Sequence, residues 1–164
     1  MKTLLLMRHA KSSWGNSSLS DHERPLNKRG DRDCRLMGSF LHEQDLIPDK
    51  IICSTAVRAK KTVEGLIETL PFANDIDYTG ELYHADVDIM LEQLQPLTDD
   101  IGIAMLVGHN PGMDEFLDMI CDEQVHMPTA AVAEIEFDIP SWHKLRVSTS
   151  ATLKNLWKPK EIQA

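Results

Sequence analysis

The chain opens on an apolar run, Leu4-Leu5-Leu6-Met7, with no leading loop, which reads as a buried strand. The run feeds Arg8 and His9 straight into the polar segment Ala10-Lys11-Ser12-Ser13-Trp14. A loop rich in Ser, Asn and Asp follows, up to Asn27, a residue suited to cap a helix. From Lys28 to Gln44 the residues Cys34, Met37, Phe40 and Leu41 recur with near-helical spacing. Pro48 separates that helix from a second short strand, Lys50 to Cys53, after which Ser54 and Thr55 are cap-type residues. Ala56 to Leu70 is predicted as a helix with Ala59, Val63, Leu66, Ile67 and Leu70 inside, stopped by Pro71.

The second half continues the alternation. Asp75 to Thr79 is a weak strand, and Asp86 is placed to cap a helix over Val87 to Leu94, ended by Pro96. Ile101 to Val107 is a clear buried strand that runs into Gly108-His109-Asn110-Pro111-Gly112, with a helix over Met113 to Cys121 beyond. Ala130 to Ile139 alternates imperfectly as a strand, and Lys144 to Thr149 and Ala151 to Leu156 are candidate edge strands. Strands alternating with helices predict an α/β fold in three layers, with helices on both faces of a mostly parallel sheet and right-handed crossovers. The C-terminal strands make that sheet mixed.

At 164 residues one domain over the whole chain is expected, with a substantial core. The longest apolar runs are far short of a membrane span, and the apolar start lacks the features of a secretory signal, so a cytoplasmic protein with no membrane partner is expected. Cys34, Cys53 and Cys121 form no CxxC pattern and read as buried reduced thiols. Met113, Met119 and Met127 read as core or rim fillers. The seven histidines show no zinc-binding spacing, so no metal and no cofactor are expected. A net charge of −9 disfavours nucleic acid as a partner. An acidic chain that binds an anion must do so with a local cationic pocket. The oligomeric state is left open, with a monomer favoured.

Three strand ends suggest such a pocket. The first strand ends at Arg8-His9, the second leads through Ser54-Thr55 to Arg58 in the first turn of a helix, and the fourth ends at Gly108-His109. In a parallel sheet all three fall on one edge, where ligands bind. Arginine holds a phosphoryl group through a planar fork of donors. A neutral imidazole is a competent nucleophile toward phosphorus, and nearby arginines favour its neutral form. The plain alternative for Arg58 is a pair with a surface carboxylate, but a cation beside a helix N-terminus is disfavoured unless an anion is there.

The strings Met7-Arg8-His9-Ala10-Lys11-Ser12-Ser13-Trp14, Ser54-Thr55-Ala56-Val57-Arg58-Ala59 and Val107-Gly108-His109-Asn110-Pro111-Gly112 resemble the histidine phosphatase superfamily. Arg24-Pro25-Leu26-Asn27 with Gly30 narrows the resemblance to its SixA-type phosphohistidine phosphatases. The resemblance runs from Lys2 to about Cys121, and the last forty residues match only in general character. It implies a phosphoglycerate mutase-like sheet and a metal-free phosphohydrolase. It also implies that His9 is the nucleophile, with Arg8, Arg58 and His109 lining the phosphate pocket. Lys11, Ser12 and Ser13 follow as further phosphate-binding positions, while Trp14 either flanks the pocket mouth or anchors its own loop. Asp21 and Arg24 are expected to fix the loop through mutual or backbone contacts.

One departure bears on substrate. Many members carry a glutamate as general acid after the third strand, and here the comparable segment is Glu81-Leu82-Tyr83-His84-Ala85. His84 or Glu81 could occupy that role, or neither, with an exposed loop residue as the plain alternative for both. A missing carboxylic acid tilts the expectation toward a good leaving group, and so toward a phosphohistidine protein as substrate. A small-molecule phosphomonoesterase and a non-catalytic phosphate- or phosphopeptide-binding module are the competing classes.

Overall fold

A computed structural model describes residues 1–162 and contains one six-stranded sheet. Its strands are β1 (Lys2–Arg8), β2 (Lys50–Ser54), β3 (Ile76–Thr79), β4 (Ile103–Gly108), β5 (Val132–Phe137) and β6 (Ala151–Trp157). The helices are α1 (Lys28–Glu43), α2 (Val57–Leu66), α3 (Val87–Leu94) and α4 (Gly112–Cys121). Strand order is β3-β2-β4-β1-β5-β6. Pairings among β3, β2, β4 and β1 are parallel, and β5 and β6 add on in antiparallel fashion. The expected mixed α/β sheet is therefore present.

The strand pattern explains the layers. A central parallel strand is buried on both faces, so it reads as an unbroken apolar run. Alternate residues of β1 serve opposite cores. Leu4 and Leu6 pack with the α3 and α4 residues Met90, Leu94, Phe116 and Leu117. Leu5 and Met7 pack with the α1 and α2 residues Met37, Leu41, Val63 and Leu66. Within β4, Ala104 and Leu106 face the first cluster and Met105 and Val107 the second. Asn27 and Asp86 cap α1 and α3 as expected, their carboxamide and carboxylate accepting from Gly30 and Ile89 N–H.

Several boundaries differ from the sequence expectation. Lys144 to Thr149 is not a strand: Trp142–Lys144 is a 3-10 turn, and Arg146 and Thr149 close a further turn on each other. Leu145 is buried while Val147 is 41% exposed, so the apparent alternation reflects a turn over the core. α2 ends at Leu66, and residues 67–70 continue as turns with Leu70 still buried. β4 starts at Ile103 because the N–H groups of Gly102 and Ile103 both donate to the Asp49 carboxylate at 2.9 Å. Met119 is 55% exposed rather than a filler, whereas Met113 and Met127 are fully buried. Among the described residues no helix is long and apolar enough to cross a membrane.

The topology positions the site. The chain passes from β1 to β2 and leaves a gap that β4 fills, so the C-terminal ends of β1, β4 and β2 lie side by side. Arg8 is in register with Gly108, and the His9 N–H donates to the Gly108 carbonyl at 2.9 Å. Such a reversal in strand order leaves a crevice at the strand ends.

Candidate active site

His9 follows the last residue of β1 and is 7% exposed. Its Nδ1 lies 2.8 Å from the Ala10 carbonyl oxygen. A carbonyl only accepts, so Nδ1 carries the proton and Nε2 keeps its lone pair. The Nε–H of Arg58, the second residue of α2, points at that lone pair from 3.4 Å. Burial, reinforced by the charges of Arg58, Arg8 and Arg24, pushes the His9 pKa down to about 4, against the opposing Ala10 hydrogen bond. His9 is therefore neutral near pH 7.

His109 follows β4, its ring centroid 5.0 Å from that of His9. Its Nε2 lies 2.8 Å from Ser54 Oγ, and that hydroxyl also accepts from the Ala56 N–H at 3.2 Å. Ser54 Oγ thus bridges the His109 ring and the start of α2, and the other ring nitrogen, Nδ1, has no partner among the described residues. Burial first, then the neighbouring His9 and Arg58, lowers the His109 pKa to about 3.

The arginines are held by different means. Arg58 donates from Nη1 to the Asp21 carbonyl at 2.7 Å and from Nη2 to the Asp21 carboxylate at 3.0 Å. That carboxylate also accepts from the Tyr83 hydroxyl. The Tyr83 bond, and then Arg58, holds the Asp21 carboxyl below the usual carboxylate range. Arg8 donates from Nη1 to the Met127 carbonyl at 3.0 Å, which leaves its buried Nε unpartnered. Arg24 donates to Ser12 Oγ at 2.7 Å and stacks 3.3 Å above the Trp14 ring. Thr62 ties α2 to the loop, donating to the Arg58 carbonyl and accepting from the Ala10 N–H at 2.9 Å.

The segment Arg24-Pro25-Leu26-Asn27 pins the loop after His9. Ser13 N–H donates to the Pro25 carbonyl, Asn27 N–H donates to the Lys11 carbonyl, and Ser12 and Leu26 form an antiparallel bridge. Gly30 is required beneath it, since a Cβ there would stand 2.2 Å from the Lys11 carbonyl oxygen.

These groups surround a cavity of about 310 Å³. Arg8, Arg24, Arg58 and Lys11 face it, with Asp21 as the single carboxylate among the described residues, a cationic pocket on a chain of net charge −9. Such a donor set fits a phosphoryl-sized dianion. Ser12 also lines the cavity, with its hydroxyl engaged by Arg24. Ser13 does not line it, and its hydroxyl accepts from the Gly15 N–H instead. His84 lies in a neighbouring cavity, while Glu81 is exposed and accepts from Gln93. Trp14 stands at the rim, 74% exposed, and is anchored by Arg24 as well. Asp21 and Arg24 do contact each other, at 3.5 Å, but both also face the cavity. Sequence reasoning missed Tyr83, Asn110, Thr129 and the Met127 carbonyl. Only Asn110, in the turn after His109, carried a signal. No group of three His, Cys, Asp or Glu among the described residues is arranged to hold a metal ion.

The family profile described as the histidine phosphatase superfamily (branch 1) matches residues 4–89. An uncharacterized chloroplastic protein of Arabidopsis thaliana, At3g52155, is 31% identical over 87% of this chain and 70% of its own length. The uncharacterized protein ML1117 of Mycobacterium leprae is 34% identical over 64% of this chain, and the match spans 65% of that relative's length. The phosphohistidine phosphatase SixA of Escherichia coli is 25% identical over 82% of this chain and 85% of its own. A structure of the protein histidine phosphatase SixA complexed with tungstate superposes with a TM-score of 0.83 at 23% identity, covering 97% of this chain and 98% of that one. The profile match across more than half the chain, on a sheet edge where Arg8, His9 and His109 meet Arg58 from the start of α2, shows that this protein belongs to the histidine phosphatase superfamily.

Proposed function

We propose that this protein is a metal-independent phosphohydrolase that works through a phosphorylated His9, with phosphohistidine in a polypeptide as its substrate. One observation carries the reading: the unprotonated Nε2 of His9 faces the Arg58 Nε–H across 3.4 Å inside a cavity lined by three arginines and a lysine. A phosphoryl group bound there is in reach of a nucleophile that needs no base to activate it. His9 Nε2 attacks phosphorus, the bond to the leaving group breaks, and that group departs with the electron pair and takes up a proton. Arg8 and Arg58 hold the equatorial oxygens and stabilise the charge they carry in the transition state, with His109 beside them on the cavity wall. Water then attacks phospho-His9 and releases inorganic phosphate.

Phosphohistidine is favoured on two grounds. The SixA relatives are named for that activity. Among the described residues no glutamate or aspartate lines the His9 cavity beyond Asp21, whose carboxylate is engaged by Arg58 and Tyr83 and so is a poor proton donor to an alkoxide. The test compares hydrolysis of a phosphohistidine peptide and of p-nitrophenyl phosphate by wild type and His9→Ala, with and without EDTA. Wild type is expected to cleave both, with a higher kcat/KM on the peptide, and EDTA to change neither rate. Loss of both activities in His9→Ala is also expected. No hydrolysis by the wild type would leave a binding module instead, and an active His9→Ala would refute the nucleophile.

A further inference from the structure

Trp14 is 74% exposed at the rim of the phosphoryl cavity, whereas Trp142 is fully buried and Trp157 is half-buried against Phe40. A single exposed apolar residue is ordinary on a protein surface, but this one is fixed in place. One face of its ring lies on the Arg24 guanidinium at 3.3 Å. Arg24 is itself only 7% exposed, and its Nη2 donates to Ser12 Oγ at 2.7 Å. The Ser13 N–H donates to the Pro25 carbonyl at 2.8 Å, which ties the residue before Trp14 to the residue after Arg24. Gly15, Asn16, Ser17 and Ser18 are exposed as well, and the other face of the indole is open to solvent.

Arg24 gives an independent sign that this rim meets a ligand. Its Nε and Nη1 are buried and make no hydrogen bond among the described residues, and Nε has only a 3.5 Å ion contact with Asp21. Buried donors are normally satisfied, and on a residue that lines the phosphoryl cavity the partner that fits is an anion. Cation and ring thus form one rigid unit that joins the cavity to its rim.

We infer that Trp14 is the docking residue for the polypeptide that carries the phosphohistidine, packing its free face against the residues that flank the modified one. The inference rests on the phosphatase reading above and names the part of the substrate that lies outside the cavity. A phosphoryl group seated among the cavity's arginines leaves its bearer to emerge across the rim, where Trp14 stands. A rigid indole is an effective contact there, because it offers a large apolar face with little side-chain freedom left to lose. A small phosphorylated compound with nothing beyond the cavity has no group to lay on the ring. A ring that only covered Arg24 would matter equally to every substrate.

The test measures kcat/KM on a phosphohistidine peptide and on phosphoramidate for wild type, Trp14→Ala and Trp14→Phe. Phosphoramidate has the P–N bond and no ring or chain to place on Trp14. The ratio of peptide to phosphoramidate kcat/KM is expected to fall about tenfold or more in Trp14→Ala. Trp14→Phe keeps an aromatic face and is expected to recover most of that ratio. An unchanged ratio, with both substrates slowed equally or neither slowed, would reduce Trp14 to a cover for Arg24 and overturn the docking. A second measurement leaves the indole in place. In His9→Ala, saturating phosphohistidine peptide is expected to shield Trp14 from acrylamide quenching, and saturating inorganic phosphate is not. Quenching unchanged by the peptide would also overturn the docking. A wild type that cleaves phosphoramidate but not the peptide would overturn it too, while leaving the phosphatase chemistry intact. If the wild type cleaves neither, or His9→Ala remains active, the phosphatase reading itself fails and the docking with it.

Discussion

Arg58 directs its Nε–H at the Nε2 lone pair of His9 from 3.4 Å, while both of its terminal nitrogens are held by Asp21. Burial and the adjacent cation keep His9 neutral, and that cation is itself fixed by a residue 37 positions earlier in the chain. A charged group placed this close to an imidazole makes protonation of that ring expensive. The pair is therefore a neutral imidazole beside a cationic donor.

The first consequence is a pH dependence of stability. In the unfolded chain a histidine titrates near 6.5, whereas folded His9 and His109 titrate at about 4 and about 3. Between these values the unfolded state binds more protons, so stability is full above pH 6.5 and falls as pH drops toward 4. The slope is at most about 1.4 kcal/mol per pH unit for each histidine. Urea unfolding of wild type and His9→Gln from pH 7.5 to 4.5 checks this. The stability difference between the two proteins is expected to change with pH in that window, and parallel curves would contradict it.

Asp21 is a positioning residue for Arg58. Asp21→Ala is expected to lower kcat by about ten- to a hundredfold, the range associated with small displacements of a catalytic group. Asp21→Asn keeps an acceptor and is expected to recover part of that loss. Because Asp21 is half exposed, the ion pair itself contributes little stability. Steady-state kinetics with Tm in parallel distinguishes positioning from folding, and wild-type kcat in Asp21→Ala would refute it.

Gly30 supports the loop after His9. A Cβ at this position meets the Lys11 carbonyl oxygen at 2.2 Å, and its nearest neighbours are all Lys11 backbone, with no flexible side chain to yield. Gly30→Ala is expected to cost about 1–3 kcal/mol, the usual range for overpacking, and to lower activity by moving the loop. Gly15→Ala meets only the Ser13 hydroxyl at 3.4 Å and serves as the control. Equal Tm values for the two variants would contradict this account.

Much of the site was legible in the sequence because parallel strands project their following residues to one edge. Leu4–Met7 and Met105–Val107 are apolar on both faces, which marks central strands, and His9 and His109 follow strands that are direct neighbours. The Arg24–Asn27 motif and Gly30 gain a physical reason in the structure, since they clamp and underlie the loop at Lys11. What could not be read off depends on long-range contacts made by ordinary groups. Arg8 is anchored by the carbonyl of Met127, a group every residue carries, 119 positions away. Tyr83 matters through one hydroxyl bond to Asp21, 62 positions away. Lys144 to Thr149 looked like a strand because Leu145 and Val147 alternate with polar residues, yet only Leu145 reaches the core. His84 is off the phosphoryl cavity and in the one beside it, a distinction that spacing along the chain does not encode.

The most direct measurement traps the phosphoenzyme. Wild-type protein mixed with a radiolabelled phosphohistidine peptide is quenched in alkali within the first turnover, and the labelled site is located by peptide mapping. The account predicts an alkali-stable, acid-labile phosphate on Nε2 of His9, absent in His9→Ala. Turnover with no label on His9, or label on another residue, would contradict it.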